Sequence, residues 1–406
     1  MDLRTSSPYW LLKNGLIQPY PSLRADLKTD VLVIGGGITG ALVCWYLTQA
    51  GISVTLAERR HIGMGSTCAS TALLQYEIDT PLYKLAGIVG EKNAARSYRL
   101  CIEAIDTLEK IAKKLPYDND FERKPSFYYA SKKADAAGLD LEYAIRRKHG
   151  IEVERWTEND IRQCFPFQAP AALYSPRDGA QVDAYALTHG LLKASQDAGA
   201  HVFDKTEITG IRRESGKVLA QTEHGFGIQA KKLVIASGYE AHLYLKKNDF
   251  IRLHSTYALV SEPYEAETLW HENALIWETA RPYLYLRTTK DRRVLVGGRD
   301  EPFYSPGKRD RLLTRKTREL KAVFERKFPG LAPLYVDFSW AGTFAETVDG
   351  LPYIDRSPEH SDTWFALGFG GNGITFSQIA AEIIRDAITG KKNPDAAIFK
   401  FKRPKH

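Results

Sequence analysis

"DVLVIGGGITGALVCWYLTQAGISVTLAER", residues 30–59, decides how this chain folds. Val31 to Ile34 is an unbroken apolar run, the composition of a parallel strand buried on both faces. Gly35, Gly37 and Gly40 then form G-x-G-x-x-G, with Ile38 and Thr39 between the last two. Ala41 to Ala50 has helical character, and Gly51 ends it. Ser53 to Ala57 reads as a second strand, with Glu58 at its carboxyl end, 23 residues after Gly35. That order predicts a βαβ unit. The first glycine allows a tight turn, the second lets backbone approach a pyrophosphate, and the third lets helix and strand pack closely. The helix start offers N–H groups to phosphate, and the acid is spaced to take ribose hydroxyls.

The same region holds no charged residue from Val31 to Ala57, 27 positions, long enough to span a membrane. Three consecutive glycines and several hydroxyls within it favour strand, turn, helix and strand instead. The 406 residues are 44% hydrophobic, enough for a large core in two or three domains. A net charge of +7 is mild for this length and does not by itself argue for nucleic acid. Cys44, Cys68, Cys101 and Cys164 show no paired or metal-ligand spacing, so they read as reduced, mostly buried thiols, and no metal is expected. The opening residues lack the apolar run of a signal peptide, which predicts a cytoplasmic protein.

The loop after Glu58 separates two cofactor classes. "RRHIGMGSTCAST", residues 59–71, starts at the candidate contact Arg59 and brings Gly63, Gly65, Ser66, Thr67, Ser70 and Thr71 together in one small, hydroxylated run. An NAD site needs no such second phosphate-side loop, whereas an FAD site can use one.

With these motifs the chain resembles the D-amino-acid oxidase-like superfamily of FAD-dependent oxidoreductases, which includes glycine oxidase, sarcosine oxidase and γ-glutamylputrescine oxidase. The resemblance continues through residues 181–202, "KKLVIASG" at 231–238, "YLYLRTTKDRRVLVGG" at 283–298 and "WAGTFAETVDGLPYI" at 340–354. It implies an α/β fold: a Rossmann-like FAD-binding domain, discontinuous over 1–85, 160–250 and 335–406. A substrate-binding domain of mixed, largely antiparallel sheet and helices would take 86–159 and 251–334, with a helix over Asn93 to Leu115.

In that layout Thr206 to Ile208 passes the adenine by backbone contact. Ala236, Ser237 and Gly238 form a turn beside the cofactor, and Trp340, Gly342 and Asp349 belong to a segment along it. A second glycine turn, "GFGGNGITFSQ" at 368–378, would start a helix from Ile374 to Thr389 at the flavin end. There Gly371, Asn372, Gly373, Ile374 and Thr375 would meet the pyrimidine edge, where a helix N-terminus suits developing negative charge.

The flavin takes a hydride from a carbon bearing an amine or a hydroxyl, so a Ser-His-Asp set is not expected. Tyr283, Tyr285 and Arg287 alternate on one strand face; Arg287 and Tyr285 are the catalytic candidates. Tyr257, Tyr283, Arg299 and Phe344 are the substrate-binding candidates. Departures from the family pattern are informative. Phe344 stands where glycine oxidase has its carboxylate-gripping arginine. Thr375 and Leu295 stand where sarcosine oxidase has lysines, and Gly342 where it has the flavin-linked cysteine. Non-covalent FAD is therefore expected, with an amine or amino-acid substrate and oxygen or a carrier as electron acceptor.

A hydroxy-acid or polyol dehydrogenase passing electrons to a quinone is the alternative. A nucleic-acid-binding protein on the same scaffold is a more distant one. Its only support is charge: nine Lys/Arg against three acids over 308–327, and six Lys/Arg in the tail 391–406. The plainer reading is a solvated helix and a frayed tail, with peripheral membrane contact through that tail as a further option.

Overall fold

The computed structural model describes residues 2–5, 7–245 and 251–403. The opening stretch folds as strand Leu27–Ile34, helix Ile38–Gln49 and strand Val54–Ala57. Those two strands pair in parallel, with Val31 opposite Val54 and Ile34 opposite Ala57. Among the described residues no helix is long and apolar enough to cross a membrane.

This unit seeds the first of two sheets. Across it run Tyr353–Arg356, Thr363–Leu367, Gly227–Ile235, Leu27–Ile34, Val54–Ala57 and His201–Phe203, with hairpin Ile208–Glu214/Lys217–Thr222 attached to Gly227–Ile235. The central pairings are parallel, in keeping with continuous apolar strands buried on both faces. Helices Ile38–Gln49, Ala184–Asp197 and Gly373–Thr389 pack together on one side, and all are largely buried.

The second sheet is mixed and mostly antiparallel. Its order is Val336–Thr347, Ile251–Ser261, Val294–Pro302, Leu284–Thr288, Leu275–Glu278, Glu122–Tyr129, Ala171–Gln181, Leu73–Leu74. Glu154–Thr157 also pairs with Ala171–Gln181, and only Leu275–Glu278 against Glu122–Tyr129 is parallel. The α/β class and both sheet types agree with expectation. Sheet membership does not follow the expected ranges throughout. Ala171–Gln181 and Val336–Thr347 fall in spans assigned to the cofactor domain, yet both belong to the second sheet.

The expected helix from 93 to 115 runs over Glu91–Ala112. Tyr98, Cys101, Ile105, Leu108 and Ile111 bury into a cluster shared with Val31 of the first sheet and Ala180 of the second, and the helix packs on helix Gly373–Thr389 and strand Ala171–Gln181. Its apolar stripe is complementary to that surface, and covalent distance from it does not matter.

The basic segments are docked. In helix Pro306–Lys327, Leu320, Val323 and Phe324 pack into the core beneath the second sheet, and Arg309 and Lys316 are buried as well. The tail is not frayed as far as Arg403. Ile398 and Phe399 are buried, Phe401 stacks on Tyr353, and Arg403 forks onto Asp349. Residues 404–406 of the basic tail lie outside the described residues, as do 246–250.

Candidate active site

Parallel strands that end in register leave a crevice at their carboxyl ends. Ile34 is level with Ala57 on one side and Ile235 on the other, so Gly35, Glu58 and Ala236 emerge together. Gly35 has φ +114°, and a side chain there would begin 2.5 Å from the Ala236 carbonyl oxygen. Gly40 does not face the crevice; a β-carbon on it would sit 1.9 Å from the Gly35 carbonyl oxygen. Its role is helix-to-turn packing, as the motif assigns to the third glycine.

The crevice opens into a cleft of about 240 Å³. Gly35, Gly37, Ile38 and Thr39 form its floor at the first helix. Gly65, Ser66, Thr67 and Ser70 form one wall, and Ala236, Ser237 and Gly238 another. Thr67 is more than a lining residue: its hydroxyl accepts the Ile38 N–H at 3.0 Å, joining the second loop to the first helix. Trp10 and Trp340 hold the same loop from behind, donating their indole N–H groups to the carbonyls of Ser70 (2.7 Å) and Ala69 (2.9 Å). Trp340 therefore supports the wall and does not line it.

At the far end Glu58 and Arg59 line the cleft with Thr206 and Ile208. Glu58 accepts the Gly36 N–H at 2.7 Å and the Arg60 N–H at 2.8 Å. Burial raises its carboxyl above the usual range, against the pull of those N–H donors and the nearby arginines. Arg59 pairs with Glu240, a residue that sequence reading did not single out.

The second glycine turn closes the other end. Gly373 and Ile374 line the cleft, and the Thr39 and Ser377 hydroxyls, one from each glycine-led helix, meet at 2.7 Å. Thr375 is buried within the helix and lines no cavity. Asp349 lies away from the cleft, bound to Arg403 and to the Leu351 N–H.

Ser66, Ser70, Tyr239, Gly373 and Ile374 also line a second cavity of about 130 Å³, so cleft and cavity share a wall. Tyr283, Tyr285, Phe344, Thr71, Gly342, Gly371 and Asn372 line this second space. Gly297 makes room for the Tyr285 ring, whose atoms lie 2.2 Å from where a β-carbon would be. The Gly371 N–H is engaged by Asp79 Oδ2 at 2.8 Å, and the Asn372 amide donates to the carbonyls of Gln75 and Glu77.

Three expected substrate contacts are absent from the cavity wall. Arg287 is 1% exposed, its guanidinium bonded to the carbonyls of Thr71, Ala72, Val182 and Thr288. Burial pushes its pKa down to about 10. It shares the strand with Tyr285 but lies beneath the 71–72 backbone, so it shapes the wall from outside. Tyr257 is buried on the opposite side of its strand, in the core cluster with Leu320 and Phe324; its neighbour Thr256 faces the cavity instead. Arg299 sits at φ +60° and does not line the cavity, whereas Asp300 does. For Tyr257 and Arg299, one residue of register separates the expected contact from the observed one.

Sequence reading also missed Asp79, Trp277 and Tyr239 on this wall. No local motif marks them; they meet only because the second sheet folds against the turn at 370–373. Among the described residues, the cavity lining contains three carboxylates, Glu77, Asp79 and Asp300, and no lysine, arginine or histidine.

A family model described as "FAD dependent oxidoreductase" matches residues 30–387. The chain belongs to this FAD-dependent oxidoreductase family. Among curated proteins it is similar to the glycine oxidase of Geobacillus kaustophilus, 26% identical over 398 residues, covering 93% of this chain and 97% of that one. It is also similar to the γ-glutamylputrescine oxidoreductase of Escherichia coli, 23% identical over 399 residues, covering 95% and 89%. Among solved structures, L-proline dehydrogenase from P. horikoshii has the same fold, with TM-score 0.79 at 22% identity, covering 92% of this chain and 97% of that one.

The cleft of this family member suits FAD. Gly35 leaves no space for a side chain at the pyrophosphate turn, and the buried hydroxyls of Ser66 and Ser237 have no protein partner among the described residues. Both are free to bond a polar ligand, as buried hydroxyls require.

Proposed function

We infer that this oxidoreductase removes a hydride from a carbon bearing nitrogen, in an amine or amino acid, with non-covalently held FAD as acceptor. FAD bound in the cleft would supply the hydride acceptor, the atom N5. The observation that carries the reading is the shared wall. A ring ending at Ser66, Tyr239 and Gly373 would border the second cavity, whose polar side chains are carboxylates, hydroxyls, the Gln75 and Asn372 amides and the Trp277 indole N–H, with no cationic side chain among the described residues. Such a wall attracts a protonated amine and repels a carboxylate.

The protein's own groups would do the rest. Glu58 would take ribose hydroxyls, and Gly35, Gly37 and the start of helix Ile38–Gln49 would cradle the pyrophosphate. Helix Gly373–Thr389, which has no side-chain cap at its start, would direct backbone N–H groups at the ring's pyrimidine edge. Gly342 lacks the thiol that could bond a flavin covalently. The aromatic rings of Trp277, Tyr283, Tyr285 and Phe344 would orient the substrate's carbon chain and exclude water.

The names of glycine oxidase and γ-glutamylputrescine oxidoreductase support nitrogen-bearing substrates over alcohols. Anaerobic bleaching of the reconstituted protein's flavin absorbance, across a panel of amines, amino acids and hydroxy acids, tests this. Bleaching by an amine or amino acid is the expected result; bleaching by hydroxy acids alone would overturn it.

A further inference from the structure

This inference rests on nitrogen oxidation as proposed above and concerns where the substrate's proton goes. A protonated amine has no lone pair to stabilise the carbon that loses hydride, so a proton must leave nitrogen first. Three carboxylates line the cavity. The charge of Glu77 is met by Arg146 at 3.5 Å, and the Ser126 hydroxyl donates to it at 2.9 Å. Asp79 accepts from the Gly371 N–H at 2.8 Å and from the Tyr283 hydroxyl at 3.2 Å. Asp300 is the least supported: the Thr256 hydroxyl stabilises its charge, but its Oδ1 is buried with no hydrogen-bond partner, as is Glu77 Oε2, and unlike Glu77 it has no ion pair with a basic side chain among the described residues.

We propose that Asp300 is the catalytic base that receives the proton of a substrate ammonium, and that the substrate is an organic amine cation with no carboxylate on the carbon oxidised. In the step, the N–H bond breaks and the proton moves to Asp300 Oδ1. The bonding pair stays on nitrogen, and nothing is oxidised or reduced. Ammonium and carboxylate become amine and acid, so the reacting pair itself carries no charge after the transfer.

The surroundings suit that role. Burial, with the neighbouring charges of Asp79 and Glu346, pushes the Asp300 carboxyl up to about 7; the Thr256 hydroxyl and the Arg281 guanidinium pull the other way. Tyr283 and Tyr285, the aromatic groups beside it, are held neutral by burial, Tyr285 up to about 12. Asp300 is thus ionised often enough near neutrality to attract a cation and basic enough to keep its proton. The rings of Trp277, Tyr285 and Phe344 give a cation quadrupole faces.

The test uses the FAD-loaded protein with tert-butylammonium, which has no hydrogen on its nitrogen-bearing carbon and so cannot be oxidised, and with its carboxylate analogue pivalate. Binding is read from perturbation of the flavin spectrum. Tert-butylammonium should bind at least about tenfold tighter than pivalate, and its affinity should rise about tenfold between pH ~6 and ~8 as Asp300 ionises. Pivalate binding as tightly, or a flat pH profile, overturns the proposal without any variant. Asp300→Asn, with FAD content and melting temperature checked, should weaken tert-butylammonium at least about tenfold. With an amine that bleaches the flavin, Asp300→Asn should slow anaerobic reduction about 100-fold or more at pH ~7, and Asp300→Glu should restore part of the rate. Wild-type rate and pH profile in Asp300→Asn sink the base alone; no bleaching by any amine sinks the nitrogen reading beneath it.

Discussion

The Thr39 hydroxyl lies 2.7 Å from the Ser377 hydroxyl, joining two helices whose contacting residues are 338 positions apart. Each helix begins at a glycine turn, and the contact puts both N-termini along one cleft. On the proposed placement of FAD, one turn would serve each end of the cofactor.

Gly37→Glu should abolish FAD binding. A β-carbon at Gly37 would already lie 3.0 Å from the Thr67 hydroxyl, and the added carboxylate would enter the phosphate path. Flavin absorbance per mole of purified protein should fall to background with the far-ultraviolet circular dichroism unchanged. Normal flavin content would overturn the assignment of the cleft.

Arg287→Ala should act on stability more than on substrate affinity. The change removes the donor to four carbonyls and leaves them buried. A cost of roughly 3–5 kcal/mol is expected, read as a lower urea midpoint. A raised KM with unchanged stability would instead return Arg287 to the substrate.

The pH dependence of stability should carry the signature of His189. This imidazole is buried between Tyr20 and Tyr185, and burial lowers its pKa to about 4. The folded form binds fewer protons than the unfolded one between about 6.5 and 4. The stability due to neutral His189 is therefore complete above about 6.5 and is lost as pH falls, by up to roughly 1.4 kcal/mol per pH unit. Urea titrations of the wild type and His189→Phe should diverge in slope across that window; parallel curves would count against it.

Arg403→Ala should destabilise the fold without altering vesicle binding. Arg403 donates to both oxygens of Asp349 and to the carbonyls of Leu351 and Pro352. Loss of a bidentate, largely buried pair should cost about 2–4 kcal/mol, measured as a fall in melting temperature. Co-sedimentation with anionic vesicles that drops in this variant would restore the membrane role of the tail.

The sequence alone determined the elements whose physics is local. Residues 30–59 specify strand, glycine turn, helix and strand, because periodicity, glycine placement and a terminal acid all act within a few residues of chain. The hydroxylated loop at 63–71 and the glycine turn at 370–373 were legible for the same reason. Only the tertiary structure decided which side chains face the cavity. Strand side chains alternate, so one residue of register exchanges Tyr257 for Thr256 and Arg299 for Asp300. It also decided that helix Glu91–Ala112 packs against helix Gly373–Thr389, and that Asp79 reaches the Gly371 N–H. Those outcomes depend on which apolar faces meet and which buried polar atoms find partners, and neither is written in any short stretch of chain.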